Sequence, residues 1–187
     1  MGEQRQKSDE MLVAEVLSGR QEAFVNLVEQ YQGLVSHLVF RIVQDRSDQE
    51  EVCQDVFVKV HKQLKTFQFR SKLSTWISRI AYNTAISHIN KRRLPTVEYD
   101  LEEIAQESGP VEEMGGEQLK TFIHEKMKML TTVEKSVLTL YHLQEMLVSD
   151  IAQVMQRPEG TIKSDLYRAR NKLKKIMRKE EHRWMTS

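Results

Sequence analysis

Two stretches of the chain mix side chains that handle nucleic acid. In the first, Phe67, Phe69, Trp76 and Tyr82 are interleaved with Arg70, Lys72, Arg79, Asn83, His88 and Asn90, and Lys91 and Arg92 follow. Aromatic faces accept unstacked bases, cations neutralise phosphates, and amides read base edges. The plainer alternative is that Trp76 and Phe67 are core residues and the charges only solvate; Trp76 belongs to an apolar stripe, which is compatible with either reading. In the second, Arg157, Thr161, Lys163, Ser164, Tyr167, Arg168 and Arg170 fall on one side of a helical pattern, and 166–179 holds seven bases and no acid. A basic helix end alone is usually a solvated face. Its weight here comes from the turn that precedes it.

Catalytic and metal-binding chemistry finds little support. The chain has no Gly-rich phosphate loop, no His/Cys ligand spacing and no nucleophile motif, and its six histidines are scattered. The expectation is a protein with no catalytic residue, metal, cofactor or small-molecule substrate. A single cysteine, Cys53, excludes an internal disulfide and points to a reducing compartment. Hydrophobic residues make up 40% of the 187, without an apolar run near the ~18 that a membrane span needs. The polar N-terminus lacks a signal-peptide segment, so the expected location is cytoplasmic.

The elements that must position these residues read as helices, and the fold class as all-α. Phe24, Leu27, Val28, Tyr31, Leu34, Val35, Leu38 and Ile42 recur at three- and four-residue steps. Val52, Cys53, Val56, Phe57, Val60 and Leu64 form a second stripe, with Asp48, Glu50, Glu51, Gln54 and Asp55 on its other face. A third helix begins near Ser74, a plausible N-cap, and runs to a basic end at Lys91. Further on, Leu119, Phe122, Ile123, Met127 and Leu130 share one face, and Thr131 to Glu134 has the capping-box pattern. A short helix near 150–155 is broken by Gln156-Arg157-Pro158-Glu159-Gly160, and Thr161 can cap a last helix through Ile162, Leu166, Ala169 and Leu173. With small Ala152 at the crossing and Ile162 ten residues on, this pair has helix-turn-helix spacing, which puts the start of the second helix into a major groove.

Charge divides the chain. The formal total is only +1, yet 1–93 carries +3, 94–117 carries −8 with no base at all, and 118–187 carries +6. The acidic stretch also holds Pro95, Pro110, Gly109, Gly115 and Gly116, a composition that cannot bury enough apolar surface to offset chain entropy. The expected organisation is an N-terminal extension (1–19), a first helical domain (20–93), a flexible acidic linker (94–117), a second helical domain with the helix-turn-helix (118–179), and a tail (180–187). The linker acids could compete with DNA for the basic faces of either domain.

At this level of detail the chain resembles the extracytoplasmic-function group of sigma factors, small initiation subunits of bacterial RNA polymerase. The resemblance lies in 48–60, in Phe69-Arg70-Ser71, in 74–83, in Ile151-Ala152, in 158–164 and in Tyr167-Arg168-Ala169-Arg170. It covers about 20–93 and 118–179 in the right order, with the linker between them.

The resemblance implies a division of labour. Asp48, Glu51, Gln54, Asp55 and Phe57 would dock on core RNA polymerase, at the β′ clamp and β subunits. Phe67, Phe69, Arg70, Lys72, Trp76, Arg79, Tyr82, Asn83, Lys91 and Arg92 would bind the −10 promoter element and help melt it. Arg157, Glu159, Gly160, Thr161, Lys163, Ser164, Tyr167, Arg168 and Arg170 would bind the −35 element. The linker would thread the polymerase as a mimic of nucleic acid. An anti-sigma factor, often membrane-bound in this group, would hold the protein inactive at the inner face of the membrane. Some positions depart from the family habit. A base is common where this chain has Asp165, a small apolar residue at Glu159, an acid at Ser87, and a capping Ser or Thr at Leu147; Ser149 could cap a shortened helix instead. The alternative reading is a stand-alone helix-turn-helix regulator, which would bind its operator without polymerase.

Overall fold

In the computed structural model, the described backbone covers residues 2–92, 123 and 125–185, with side chains described from Asp9 to Arg178 within those bounds. The acidic linker, Leu119 and Phe122 lie outside the described residues, as does the proposed masking by linker acids.

The first domain has four helices: α1 (Gly2–Leu17), α2 (Gln21–Ile42), α3 (Arg46–Gln63) and α4 (Leu73–Arg92). Ala23, Leu27, Tyr31, Val35, Leu38 and Ile42 are all buried, so the three- and four-residue stripe on α2 faces inward as its spacing requires. The α3 stripe narrows to every fourth residue: Val52, Val56 and Val60 are buried, while Cys53 and Phe57 are half-buried. Asp45 caps α3 by accepting a bond from the Ser47 N–H at 3.0 Å. A 3-10 turn, Leu64–Thr66, then leads through Phe67 and Phe69 into α4.

Helix α4 has two buried sides. Leu73, Ile77, Ile80, Ala81 and Thr84 face the first domain, where Lys59 Nζ donates to Thr84 Oγ1 at 3.1 Å. Thr75 lies about half a turn away and Ser78 and Ala85 about a third of a turn or less, and all three are also buried. A helix covered on two sides has no single apolar stripe.

The second domain contains α5 (Thr132–Leu138), a π-helical turn (Thr139–Leu143), α6 (Val148–Met155) and α7 (Glu159–Met185). Thr131 and Glu134 form the full capping box. Gln156, with φ 53°, ends α6 in the left-handed conformation, and the Arg157 N–H closes on the Ala152 carbonyl at 3.0 Å. Val137, Leu140, Ile151, Val154, Ile162, Leu166 and Ala169 form the core.

The two domains touch. Helix α4 packs on α6, and α2 packs on α5 and the π-helical turn. Lys72 Nζ lies 3.6 Å from Asp150 Oδ2, and Gln144 Nε2 lies 3.1 Å from His37 Nδ1.

Several expectations about caps and ends are corrected. The N-terminal extension contains α1, whose Leu12 and Val13 are buried and whose Asp9 accepts a 2.8 Å bond from the Tyr31 hydroxyl. Helix α4 starts one residue before Ser74, with the Lys72 carbonyl accepting the Trp76 N–H, so Ser74 is no cap. Ser149 lies inside α6, which begins at Val148 without a side-chain cap. Thr161 lies in the first turn of α7; the Pro158 carbonyl accepts the first bonds, from the Thr161 and Ile162 N–H groups. The helix also runs on to Met185, through most of the expected tail.

Candidate nucleic-acid interface

The loop before α4 divides its aromatics between packing and exposure. Phe67 and Trp76 are buried, with ring centroids 5.3 Å apart. Phe69 lies 4.6 Å from Phe67 yet is 40% exposed, and its φ of 55° places it in the left-handed region. A bulky residue rarely adopts that backbone, which is strained unless the surroundings impose it. Phe67 and Trp76 thus form a fixed platform, and the adjoining turn holds Phe69 outward beside exposed Arg70.

Along α4, Arg79 and Asn83 remain exposed on the strip between the two buried sides, and Lys91 is exposed in the last turn of the helix. Tyr82 is half-buried on the second side. Its hydroxyl pKa is raised by burial; Arg157 and Asp165 of the other domain act on it with opposite signs. Lys72 is held by Asp150, and Arg92 bonds both Asp45 and Asp48. The hydroxyls of Thr75 and Ser78 are buried with no hydrogen-bond partner among the described residues.

In the helix-turn-helix, Lys163, Ser164, Tyr167, Arg168 and Arg170 are exposed on α7, together with Glu159 and Gly160 at its start. Arg157 and Thr161 are half-buried. Arg170 also stacks 4.8 Å over the Tyr141 ring, and its Nε donates to His142 Nε2 at 3.2 Å. Asp165 is 4% exposed and bonds Arg157 and Arg168.

On α3, Glu51, Gln54 and Asp55 are exposed as expected of a docking face, and Phe57 is half-buried. Asp48 differs. It is buried against α4, with Oδ2 3.0 Å from His88 Nε2 and a second bond from Arg92. Its helical position allowed the exposed face, but the approach of α4 encloses it. Phe57 belongs to an apolar groove between α2 and α3, lined also by Phe24, Val28, Phe40, Cys53 and Val58. Phe40 and Val58 were not singled out from the sequence, although both are large apolar residues off the buried stripes and exposed.

Region 2 of the sigma-70 proteins matches residues 27–94, and region 4 matches residues 123–173. The RNA polymerase sigma-H factor of Pseudomonas aeruginosa is 32% identical, over 92% of this chain and 95% of that protein. The ECF RNA polymerase sigma-E factor of Haemophilus influenzae is 33% identical, over 92% and 98%. The chain belongs to the extracytoplasmic-function sigma factors. Among solved structures, the sigma factor RpoE bound to the anti-sigma factor NepR, from Bartonella quintana, shares the fold. Its TM-score is 0.65 at 19% identity, with 83% of this chain and 96% of that one covered. Membership sets aside the stand-alone regulator: this is an alternative sigma factor, directing promoter-specific initiation by RNA polymerase. No helix among the described residues is long and apolar enough to cross a membrane.

Proposed function

We propose that this sigma factor works through three separate surfaces. Exposed Glu51, Gln54 and Asp55, with Phe57 and the groove between α2 and α3, dock on the β′ clamp of core polymerase. Phe69, Arg70, Arg79, Asn83 and Lys91 meet the −10 element, with Phe67 and Trp76 as the platform beneath and Lys72, Tyr82 and Arg92 joining when their internal contacts release. Lys163, Ser164, Tyr167, Arg168 and Arg170 read the −35 element from α7, with Arg157, Glu159, Gly160 and Thr161 at the turn. Asp48 supports this arrangement from within, as the buried anchor between α3 and α4.

The observation that carries the reading is Phe69, held outward by a left-handed backbone on a rigid aromatic base. An exposed ring with its orientation already fixed is ready to receive an unstacked base. The chain acts as an initiation subunit without catalytic residues of its own and works in the cytoplasm, at the nucleoid. RpoE, which shares the fold, is bound by the anti-sigma factor NepR. A corresponding partner of this chain, membrane-bound as often in the group, would keep it at the inner face of the membrane. Run-off transcription with and without core polymerase tests the whole reading. Transcripts should require both proteins, and E51K or D55K should reduce them without altering the helical content of the free chain. Tight, sequence-specific duplex binding by the chain alone, with no polymerase-dependent transcript, would overturn it.

A further inference from the structure

Asp165 is a buried acid in a helix whose outer face is expected to meet DNA. Along α7, Ile162, Leu166 and Ala169 enter the core, while Lys163, Ser164 and Tyr167 point to solvent. Asp165 lies beside the core stripe, and each of its oxygens takes one guanidinium. Oδ2 accepts from Arg157 Nη1, in the turn, and Oδ1 accepts from Arg168 Nη2, one helical turn on. Arg168 keeps a side-chain exposure of 66% even while held in this way.

The arrangement does two things at once. Flanked by two guanidiniums, the carboxylate is compensated and need not repel a phosphate. With one Nη engaged, Arg168 keeps further N–H donors free, and the head of a long side chain is already placed. A free arginine loses rotamer entropy when it grips a base edge; one held beforehand loses less. We propose that Asp165 is a specificity-determining positioning residue of the −35 reader, which holds Arg168 for a base-edge contact and keeps Arg157 tied to the turn. Without the carboxylate, both arginines become mobile cations that prefer phosphates, which carry no sequence information.

This rests on the −35 reading above, and the test separates the two. Holoenzyme reconstituted from core polymerase and this chain selects duplexes from a promoter-length pool randomised upstream of the start, with wild type, D165N and D165A compared. Wild type should enrich a defined upstream element. D165A should flatten preference at one or two adjacent positions of that element, while affinity for an unrelated duplex rises several-fold and falls more steeply with salt. D165N, which keeps the shape and one acceptor oxygen, should lie between them. Thermal melts by circular dichroism accompany each variant. If both folded variants retain the wild-type preference, the proposal is overturned. A parallel loss of binding to every duplex with a lowered melting temperature would assign Asp165 a structural role only, and would also overturn it. If wild-type holoenzyme initiates but enriches no upstream element, the −35 reading itself fails.

Discussion

Lys72 Nζ and Asp150 Oδ2 lie 3.6 Å apart, which ties the loop leading into α4 to the first helix of the helix-turn-helix. With Lys72 64% exposed, such a pair contributes less than about 1 kcal/mol. The Asp150→Lys variant should therefore fold, yet it sets two ammonium groups against each other at the domain contact. Dyes at N26C and K174C, in a C53S background, should report lower energy transfer in D150K than in the parent protein. The same charge change at exposed Glu125, as E125K, should leave energy transfer unaltered. Equal transfer in both variants would mean that this contact does not govern how the domains sit.

Phe69 and Trp76 should separate melting from folding. Trp76 is 7% exposed and packs at a tilt against Phe67, so W76A should cost about 3 kcal/mol or more in chemical denaturation. F69A removes a ring that is 40% exposed and packed on Phe67, and should cost less, about 1 kcal/mol. Permanganate footprinting of the promoter bubble with holoenzyme should nevertheless show F69A to be defective. A normal bubble would remove Phe69 from the proposed contact with an unstacked base.

Lys163 and Arg168 both stand exposed on α7. Replacing either with Ala should weaken −35 binding by about 1–3 kcal/mol if the side chain contacts a base. Unchanged promoter occupancy by either variant would place that residue outside the reading face.

The capping box predicts a pH effect. Burial pushes Glu134 up, but the Thr131 N–H and Lys172, with the Thr131 hydroxyl, outweigh it and hold the carboxyl below its ordinary value. A depressed carboxylate contributes stability above its unfolded pKa, about 4.3, and that contribution is lost as pH falls through the folded value. The stability gap between wild type and E134Q should be full at neutral pH and close in acid. A gap that stays constant down to pH ~3, below the unfolded value, would contradict this.

Cys53 should be a slow thiol. Burial, with the charge of Glu50 beside it, pushes its pKa up to about 11. At pH 8 its thiolate fraction should be on the order of a hundredfold below that of an ordinary exposed cysteine. Alkylation by iodoacetamide should accelerate by a similar factor when urea unfolds the chain. Equal rates in the two states would show a freely ionising thiol.

What could be read from residues alone followed how local each feature is. The α2 stripe and the Thr131–Glu134 box depend on neighbours a few positions away, and both have the expected form. The turn at Gln156–Gly160 was equally plain, although the helix after it starts at Glu159 because the Pro158 carbonyl takes the first bonds. Features that depend on distant elements were not legible. Asp48 sits among acids on a helix face, and only the return of α4 encloses it with His88 and Arg92. Thr75 and Ser78 look like ordinary surface polar residues, and nothing in their surroundings along the chain signals a second covered side. The α1 segment has Leu12, Val13, Val16 and Leu17 close together, a short apolar group whose packing becomes visible only with α2 beside it.

The packing of α4 on α6 also has a mechanical consequence. Helices in contact have axes about 8–10 Å apart, whereas elements centred near −10 and −35 are separated by about 25 base pairs, roughly 85 Å of duplex. With the DNA-reading faces proposed above, one molecule in this compact arrangement cannot grip both elements at once. The 24 residues of 94–117 have a contour length of about 80 Å, enough to pay out almost the whole distance. Promoter engagement is then coupled to an opening equilibrium, and the observed affinity equals the intrinsic one scaled by the open fraction. Any ligand that prefers the separated domains raises that fraction before a single base is read.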